Sequence, residues 1–407
     1  MYQHLRVALV LTGALLTLPA FAQRPPVDDN VAQIPQSAPG TPWSFIGFGF
    51  TTPANTEWKV ASSTPRGATM ARAMLADASQ GAVLVIASEL RDAEIASDAE
   101  LLAVVQAQHA RIGERYDVGQ HEETLTRHAG TRCARHTIAA RVPEDKSPRK
   151  DAAKKNDART FMHIVGLSCV HPTEPRLLIE VGVSERSTRD AIASVVLRDA
   201  EAAMASLSFQ RYSEQALQKA AELARAGNVR DAETQLKPYI DADAAWARFF
   251  LAQIMQRTVP PPADVDARMK ALLEPAAERG LADAQWMLGT LLLRGGPGVP
   301  RDTAMGGALL RRAAERGNPG AAFQLGLALL SDKDGLAPDQ REAVLWISRS
   351  AARGQKEAQD LLKSARDGKP PSTSTVPAAP AAPMAPTAPA APAAPTAPAA
   401  PAAPAPR

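Results

Sequence analysis

The amino-acid sequence predicts three structural parts: an α+β domain with an antiparallel sheet, an all-α solenoid, and a disordered tail rich in proline and alanine. Short β-branched segments with few helical segments between them predict the first part. An internal repeat of 37 residues in an alanine-rich region predicts the second. The proline distribution predicts the third part, because 13 of the 34 prolines lie at or after Pro370 and a segment so rich in proline cannot form a packed core.

The composition excludes several classes of protein. The 407 residues include 46 Lys and Arg against 43 Asp and Glu, which gives a formal charge of +3. A charge so close to zero gives no reason to expect nucleic acid or a membrane surface as the partner. The two cysteines are too few for a disulfide-rich scaffold or for a zinc site built from four thiolates.

The N-terminus reads as a secretory signal peptide over residues 1–22. His4 and Arg6 precede an apolar run over 7–18, and small residues follow at Ala20 and Ala22. The run is too short to cross a bilayer, which needs roughly 20 apolar residues. We therefore expect cleavage after Ala22, a periplasmic or secreted protein, and no membrane span.

A linker over 23–42 and an α+β domain over 43–212 are predicted next. The first apolar segment, 43–50, is read as one strand, and helical periodicity appears in 98–116 and 188–207. The other predicted strands are 59–61, 81–89, 122–127, 133–142, 161–170 and 177–183. The basic segment 145–159 is read as a solvated hairpin loop, with contact to an anionic glycan or membrane as the alternative.

The solenoid is predicted over 213–365 and the tail over 366–407. Gly280, Gly317 and Gly354 are spaced by 37 residues, and each is followed four residues later by Ala and eight residues later by Leu. An offset of four places that Ala and Leu on one helical face. Each unit is therefore expected to be a pair of short antiparallel helices in which Gly ends the second helix in a left-handed cap. From residue 377 to 404 the prolines recur at every third position, which matches one edge of a polyproline II helix.

At these residues the sequence resembles the Sel1-like repeat family, which is related to the tetratricopeptide repeats. The matching segments are AAERGLADAQWMLG at 276–289, GGPGVPRD at 295–302, AAERGNPGAAFQLG at 313–326 and SAARGQKEAQDLL at 350–362. Residues 216–240 resemble one further hairpin of the tetratricopeptide kind. The resemblance implies a helical scaffold that binds proteins. The domain before it resembles, through fewer features, the Mog1/PsbP-like domains of exported bacterial proteins.

The repeats also place aromatic residues six positions after the glycine or its equivalent. In tetratricopeptide relatives the corresponding position lines the concave groove, and aromatic residues with arginine are typical of peptide-binding hot spots. The alternative is that the aromatic side chains pack on the neighbouring repeat. The candidate groove residues are Phe249, Trp286, Phe323, Arg257 and Arg294.

Cys133 and Cys169 lie on separate predicted strands of an exported chain, so a disulfide is expected. A metal site is the alternative, because His136 and His171 follow the cysteines at ligand-like spacing and His163 is near. Alternation along a strand places Cys133 and His136 on opposite faces, which argues against it. We therefore expect no metal site here.

The sequence contains no catalytic constellation that spacing can identify. Ser168 lies in a segment that lacks the second glycine of a nucleophile elbow. The glycine-rich run 295–298 has no Lys-Ser/Thr after it, as a phosphate loop would require. The first hypothesis is a non-enzymatic adaptor of the bacterial cell envelope with a protein or peptide partner and no cofactor. The alternative is a secreted enzyme that modifies the cell wall or hydrolyses β-lactams.

Overall fold

The computed structural model describes residues 36–54, 57–73, 81–114, 116–141, 161–258, 261–330 and 335–367. The predicted signal peptide, the first part of the predicted linker and the basic segment 145–159 lie outside the described residues. So does the predicted tail from residue 368 onward.

The first domain is built on an antiparallel sheet. Among the described residues, eight strands pair in the order β1-β4-β5-β6-β10-β9-β8-β7, and a second sheet has the order β11-β3-β2. The strands are β1 Gln36–Ser37, β2 Pro42–Ser44, β3 Phe48–Thr51, β4 Trp58–Thr64, β5 Gly67–Ala73, β6 Gly81–Leu90, β7 Asp117–His128, β8 Thr131–Arg141, β9 Phe161–His171, β10 Glu174–Ser187 and β11 Ser208–Phe209. The antiparallel α+β prediction is confirmed.

The structure differs from the sequence prediction most clearly among the first strands of this domain. Segment 43–50 forms two strands, because Gly47 has a positive φ of 87° and the chain turns there. Strand β1 lies inside the predicted linker 23–42 and pairs with β4. Strand β5 has no strong apolar alternation in GATMARA and is missed by the pattern, although it pairs along its length with β6.

Two helices cover opposite faces of the large sheet. Helix α1, Asp98–Gly113, is held at its start by a capping box between Ser97 and Glu100, and it packs on one face of β8, β9 and β10. The other face carries the main core, which contains α2, Ser194–Ala205, and continues without a break into the helical region.

The second half of the chain is helical, as predicted. Its helices are α3 Glu214–Arg225, α4 Val229–Asp241, α5 Ala245–Gln256, α6 Val265–Glu278, α7 Ala282–Arg294, α8 Thr303–Glu315, α9 Pro319–Leu330, α10 Gln340–Ala352 and α11 Lys356–Arg366. Helices α6, α8 and α10 end two residues before Gly280, Gly317 and Gly354, whose φ values are 84°, 88° and 88°. These glycines provide the left-handed turns that the 37-residue period predicts.

The corners after α8 and α10 contact the first domain. Nη1 of Arg316 donates to the carbonyl oxygens of Pro42, at 2.7 Å, and Gly280, at 2.9 Å. One repeat later, Nη2 of Arg353 donates to the carbonyl of Val60 at 3.3 Å. An added Cβ at Gly280 would lie 2.2 Å from the Pro42 carbonyl oxygen, so a side chain at that position would push the two parts apart.

The first helix of the solenoid is tied to the sheet by a buried polar network. Glu214 accepts from the guanidinium of Arg66 at 3.1 Å and from the hydroxyl of Tyr212. The backbone N–H of Glu214 donates to Glu174 at 2.8 Å. Since Glu214 is 2% exposed, the donors from Arg66 and Tyr212 offset the cost of burying its carboxylate.

In the part of the chain that the structure describes, no helix has the length and apolar character needed to cross a membrane.

Candidate partner-binding site

The aromatic residues predicted to line an open groove are instead packed between repeats. Trp286 on α7 is 9% exposed, and its indole N–H donates to Gln324 of α9 at 3.0 Å. An added Cβ at Gly320 would lie 2.2 Å from Trp286 Cζ2, so the absence of a side chain at Gly320 creates the space for the indole. The groove interpretation is wrong for Trp286, because the next repeat covers it.

Phe323 occupies the same position one repeat later and is 1% exposed. It packs with Ile347 of α10 and Ala358 of α11. The groove interpretation is therefore wrong for Phe323 as well, since stacking of the following helices removes it from solvent. Phe249 on α5 is half-buried and lies against the main core.

The two arginines of the candidate set are exposed but differ in their surroundings. Arg294, at the end of α7, is 62% exposed, and its Nη2 donates to Asp266 of α6 at 2.7 Å. Arg257 follows α5 and lines a cavity that the repeat spacing does not reveal. Of the five predicted groove residues, Arg257 alone lies in the wall of this cavity.

This cavity, called here the first-hairpin cavity, lies between the α3–α4 hairpin and α5 and has a volume of about 460 Å³. Ala221, Ala224 and Ile254 contribute to an apolar wall, while Arg225 and Arg257 supply positive charge. Its lining residues are Ala221, Ala224, Arg225, Gly227, Val229, Phe250, Gln253, Ile254, Arg257 and Thr258. An apolar cleft with a few placed polar groups is the usual form of a ligand site.

Gln253 is the polar group with unused hydrogen-bonding capacity in this cavity. It is 3% exposed, and its Nε2 has no hydrogen-bond partner among the described residues. A buried amide N–H without a partner is costly, so an incoming carbonyl or carboxylate oxygen would be favoured here. One signal in the sequence could have identified it, because Gln253 is a polar residue within the apolar stretch FFLAQIM of α5.

The expected disulfide is present. Cys133 and Cys169 are directly opposite each other on β8 and β9, with their Cα atoms 4.1 Å apart and both side chains fully buried. The bond removes both thiols from the alternative metal set. Nε2 of His171 lies 2.9 Å from the carbonyl oxygens of Gly47 and Gln210, and Nε2 of His163 lies 3.0 Å from the carbonyl of Asp190.

Comparison with known proteins locates two family repeats in the solenoid. Residues 282–318 and 319–355 match the Sel1 repeat model, and each match has the length of the 37-residue period. A Sel1 repeat protein from Oxalobacter formigenes is 30% identical to this chain, covering 32% of this chain and 96% of that one, with a TM-score of 0.28.

A protective antigen present in uropathogenic Escherichia coli strains, described as displaying an SLR fold, is 20% identical. That alignment covers 41% of this chain and 39% of the antigen, with a TM-score of 0.32. No match was found among curated proteins. The two matched repeats, in the register of Gly280, Gly317 and Gly354, place this chain in the Sel1 repeat family.

Proposed function

We propose that this protein is an exported, non-enzymatic adaptor of the bacterial cell envelope that binds a protein or peptide partner in the first-hairpin cavity. Sel1 repeats generally mediate protein–protein interaction, which supports a role in binding. The observation that carries the site is the buried Nε2 of Gln253 in an apolar wall, which has no hydrogen-bond partner among the residues that the structure describes. The partner would insert an apolar side chain and offer an oxygen acceptor to this amide.

The contacts with the first domain explain why the cavity is favoured over the glycine corners of the repeats. The Pro42 carbonyl and the ring of Trp43 already contact Arg316, and Val60 contacts Arg353. Those corners therefore bind the chain's own sheet. The first-hairpin cavity lies at the other end of the repeat series, near α3 and α5, and carries two arginines. A partner with an acidic group beside its apolar side chain would complement them.

Site-specific photo-crosslinking in cells of the source organism tests the site. A photoreactive residue in place of Arg257 is expected to capture a discrete protein, which mass spectrometry would identify. The same residue in place of Arg294, one repeat away and also exposed, is the matched control and is expected to capture none. Equal labelling from both positions would contradict a site confined to the cavity.

A second variant separates binding from folding. Gln253→Leu keeps the volume and removes the amide, so the crosslink from position 257 is expected to fall at least tenfold while the melting temperature does not drop. An unchanged crosslink in this variant would show that the amide does not contact the partner.

Export has its own test. The N-terminal sequence of the protein isolated from the envelope fraction is expected to begin at Gln23. An intact Met1 on protein recovered from the cytoplasmic fraction would refute the proposed localisation, while leaving the cavity proposal to its own experiment.

A further inference from the structure

A group of histidine and glutamate side chains lies beneath α1, on the face of the sheet opposite the disulfide. His109 belongs to the buried stripe of α1, at the spacing of Leu101, Val105 and Ile112. His136 points up from β8, with its ring centroid 4.4 Å from that of His109. Glu180 on β10 places Oε1 4.0 Å from Nε2 of His136. Three different elements therefore supply the group.

His136 has an unusual environment for a core residue. It is 1% exposed, and neither ring nitrogen has a hydrogen-bond partner in the part of the chain that the structure describes. Buried polar groups are normally paired, so a fully buried imidazole with two unused nitrogens calls for a missing partner. The ring itself fits because Gly166, directly opposite on β9, has no side chain: an added Cβ there would lie 2.4 Å from Nε2 of His136.

His109 is oriented by a carboxylate. Its Nδ1 lies 2.7 Å from Oε1 of Glu123, which is 5% exposed and also lies 2.8 Å from Nε2 of His121. Because a carboxylate accepts a hydrogen bond from Nδ1–H, Nε2 of His109 carries the lone pair that a metal ion can bind. This carboxylate–histidine arrangement is the usual second layer around a protein-bound metal ion.

We propose that His109, His136 and Glu180 bind one divalent transition-metal ion of the zinc class, with Glu123 as a positioning residue for His109. One ligand atom from each of the three residues lies within 4.8 Å of the other two. Ligands about 2.1 Å from a tetrahedral ion are about 3.4 Å apart, so small side-chain movements would close the site. Two imidazoles with a carboxylate suit zinc and its neighbours better than calcium or magnesium.

The electrostatics of the site agree with this assignment. Burial, followed by the neighbouring His109, lowers the pKa of His136 well below its ordinary value, so the ring is held in the neutral form that metals bind. Burial raises the pKa of Glu180 to about 7, with Glu89 contributing. A bound cation would relieve that desolvation cost. The side chains of Glu180 and His121 are 16% and 33% exposed, which provides a route of entry.

Zinc titration of the untagged full chain tests the site. After removal of metal with a chelator, calorimetry is expected to show one Zn²⁺ bound per chain. His136→Asn and Glu180→Gln are each expected to weaken binding at least tenfold. His128→Gln is the matched control, because His128 lies on β7 with its Nε2 2.6 Å from the carbonyl of Leu207 and is expected to bind as the wild type does.

A thermal measurement keeps the test valid if a variant is less stable. Zn²⁺ at a fixed concentration just above the wild-type Kd is expected to raise the melting temperature of the wild-type chain and of His128→Gln, and to raise that of His136→Asn and Glu180→Gln by clearly less. Binding of less than one ion per chain, or unaltered binding in both ligand variants, would overturn the proposal. Loss of binding in His121→Asn with full binding in Glu180→Gln would assign the ion to His109, His121 and Glu123 and would also overturn it.

Discussion

The guanidinium of Arg316 lies over the ring of Trp43, with Cζ 4.9 Å from the ring centroid. Arg316 belongs to the repeat corner after α8, whereas Trp43 belongs to β2 of the first domain. The same guanidinium bridges the carbonyls of Pro42 and Gly280. Burial lowers the pKa of Arg316 to about 10, which leaves it charged at neutral pH. One side chain of the solenoid therefore contacts both parts of the chain, beside the Arg353 contact and the Glu214 network described above.

Arg316→Ala is expected to lower the free energy of unfolding by about 2–4 kcal/mol, because charged hydrogen bonds to two carbonyls and a cation–π contact are lost together. Denaturant unfolding followed by tryptophan fluorescence and by circular dichroism would measure it, and the two signals are expected to separate as the parts uncouple. Arg312→Ala is the control, since Arg312 is exposed on the same turn, and is expected to change stability by under about 0.5 kcal/mol. Equal effects of the two substitutions would argue against the bridge.

The disulfide gives a second prediction. Its cysteines are 36 residues apart in sequence, and in the chain-entropy model closure of such a loop stabilises the folded state by about 4 kcal/mol. The free energy of unfolding, measured with denaturant in the presence of a reductant, is expected to be lower by up to that amount. The double variant Cys133→Ala, Cys169→Ala is expected to be destabilised already and to show no response to reductant. A response in the double variant would mean that the reductant acts elsewhere.

Gly320 gives a third prediction that runs against helix propensity. Alanine is the better helix former, yet Gly320→Ala is expected to destabilise the protein by about 1–3 kcal/mol, because its Cβ would overlap the Trp286 indole. Trp286→Leu removes the ring, so Gly320→Ala in that background is expected to be neutral or stabilising. Thermal unfolding of the four chains in this double-mutant cycle measures the coupling, and additive effects would contradict the packing described.

The repeats could be predicted from the sequence because their information is local and periodic. Gly280, Gly317 and Gly354 each need a left-handed backbone at a helix end, and the Ala and Leu four and eight residues later define one helical face. Most strands of the first domain could also be predicted, because their short β-branched segments are a local signal. Strand β5 was missed, because GATMARA owes its conformation to pairing with β6.

Whether the aromatic residues of the repeats are buried or exposed could not be predicted from the sequence of one repeat alone. Trp286 and Phe323 lie on the side of their helices opposite the Ala and Leu that recur in each repeat. Only the stacking of the following repeat decides whether that side is exposed or buried. Gly320, on the helix that follows, is the residue in the sequence that indicates this packing, because it leaves space for the Trp286 indole. The histidine group was hidden for a different reason, since His109, His136 and Glu180 are brought together by sheet pairing and not by spacing.

A final prediction concerns pH and Asp283, in the first turn of α7. Burial raises the pKa of Asp283 from 3.8 to about 6, although Asn318 donates to its Oδ1 at 2.7 Å and opposes the shift. The folded state therefore holds a proton that the unfolded state releases between about pH 4 and pH 6, so the stability contributed by this group falls as pH rises through that range and stays low above it. The helix N-terminus favours the charged form by only about 0.3–1 kcal/mol, too little to reverse this.

Asp283→Asn keeps the acceptor for Asn318 and removes the titrating group. At pH 7.5 the variant is expected to be more stable than the wild type by about 1–2 kcal/mol, because each unit of pKa shift corresponds to about 1.4 kcal/mol and Asp283 is half-buried. The difference is expected to vanish below about pH 4, where both states of the wild type are protonated. Denaturant midpoints from pH 4 to pH 8 would measure it, with Asp360→Asn, at an exposed position of α11, as the control. A difference that did not depend on pH would mean that the change acts through packing and not through the charge of Asp283.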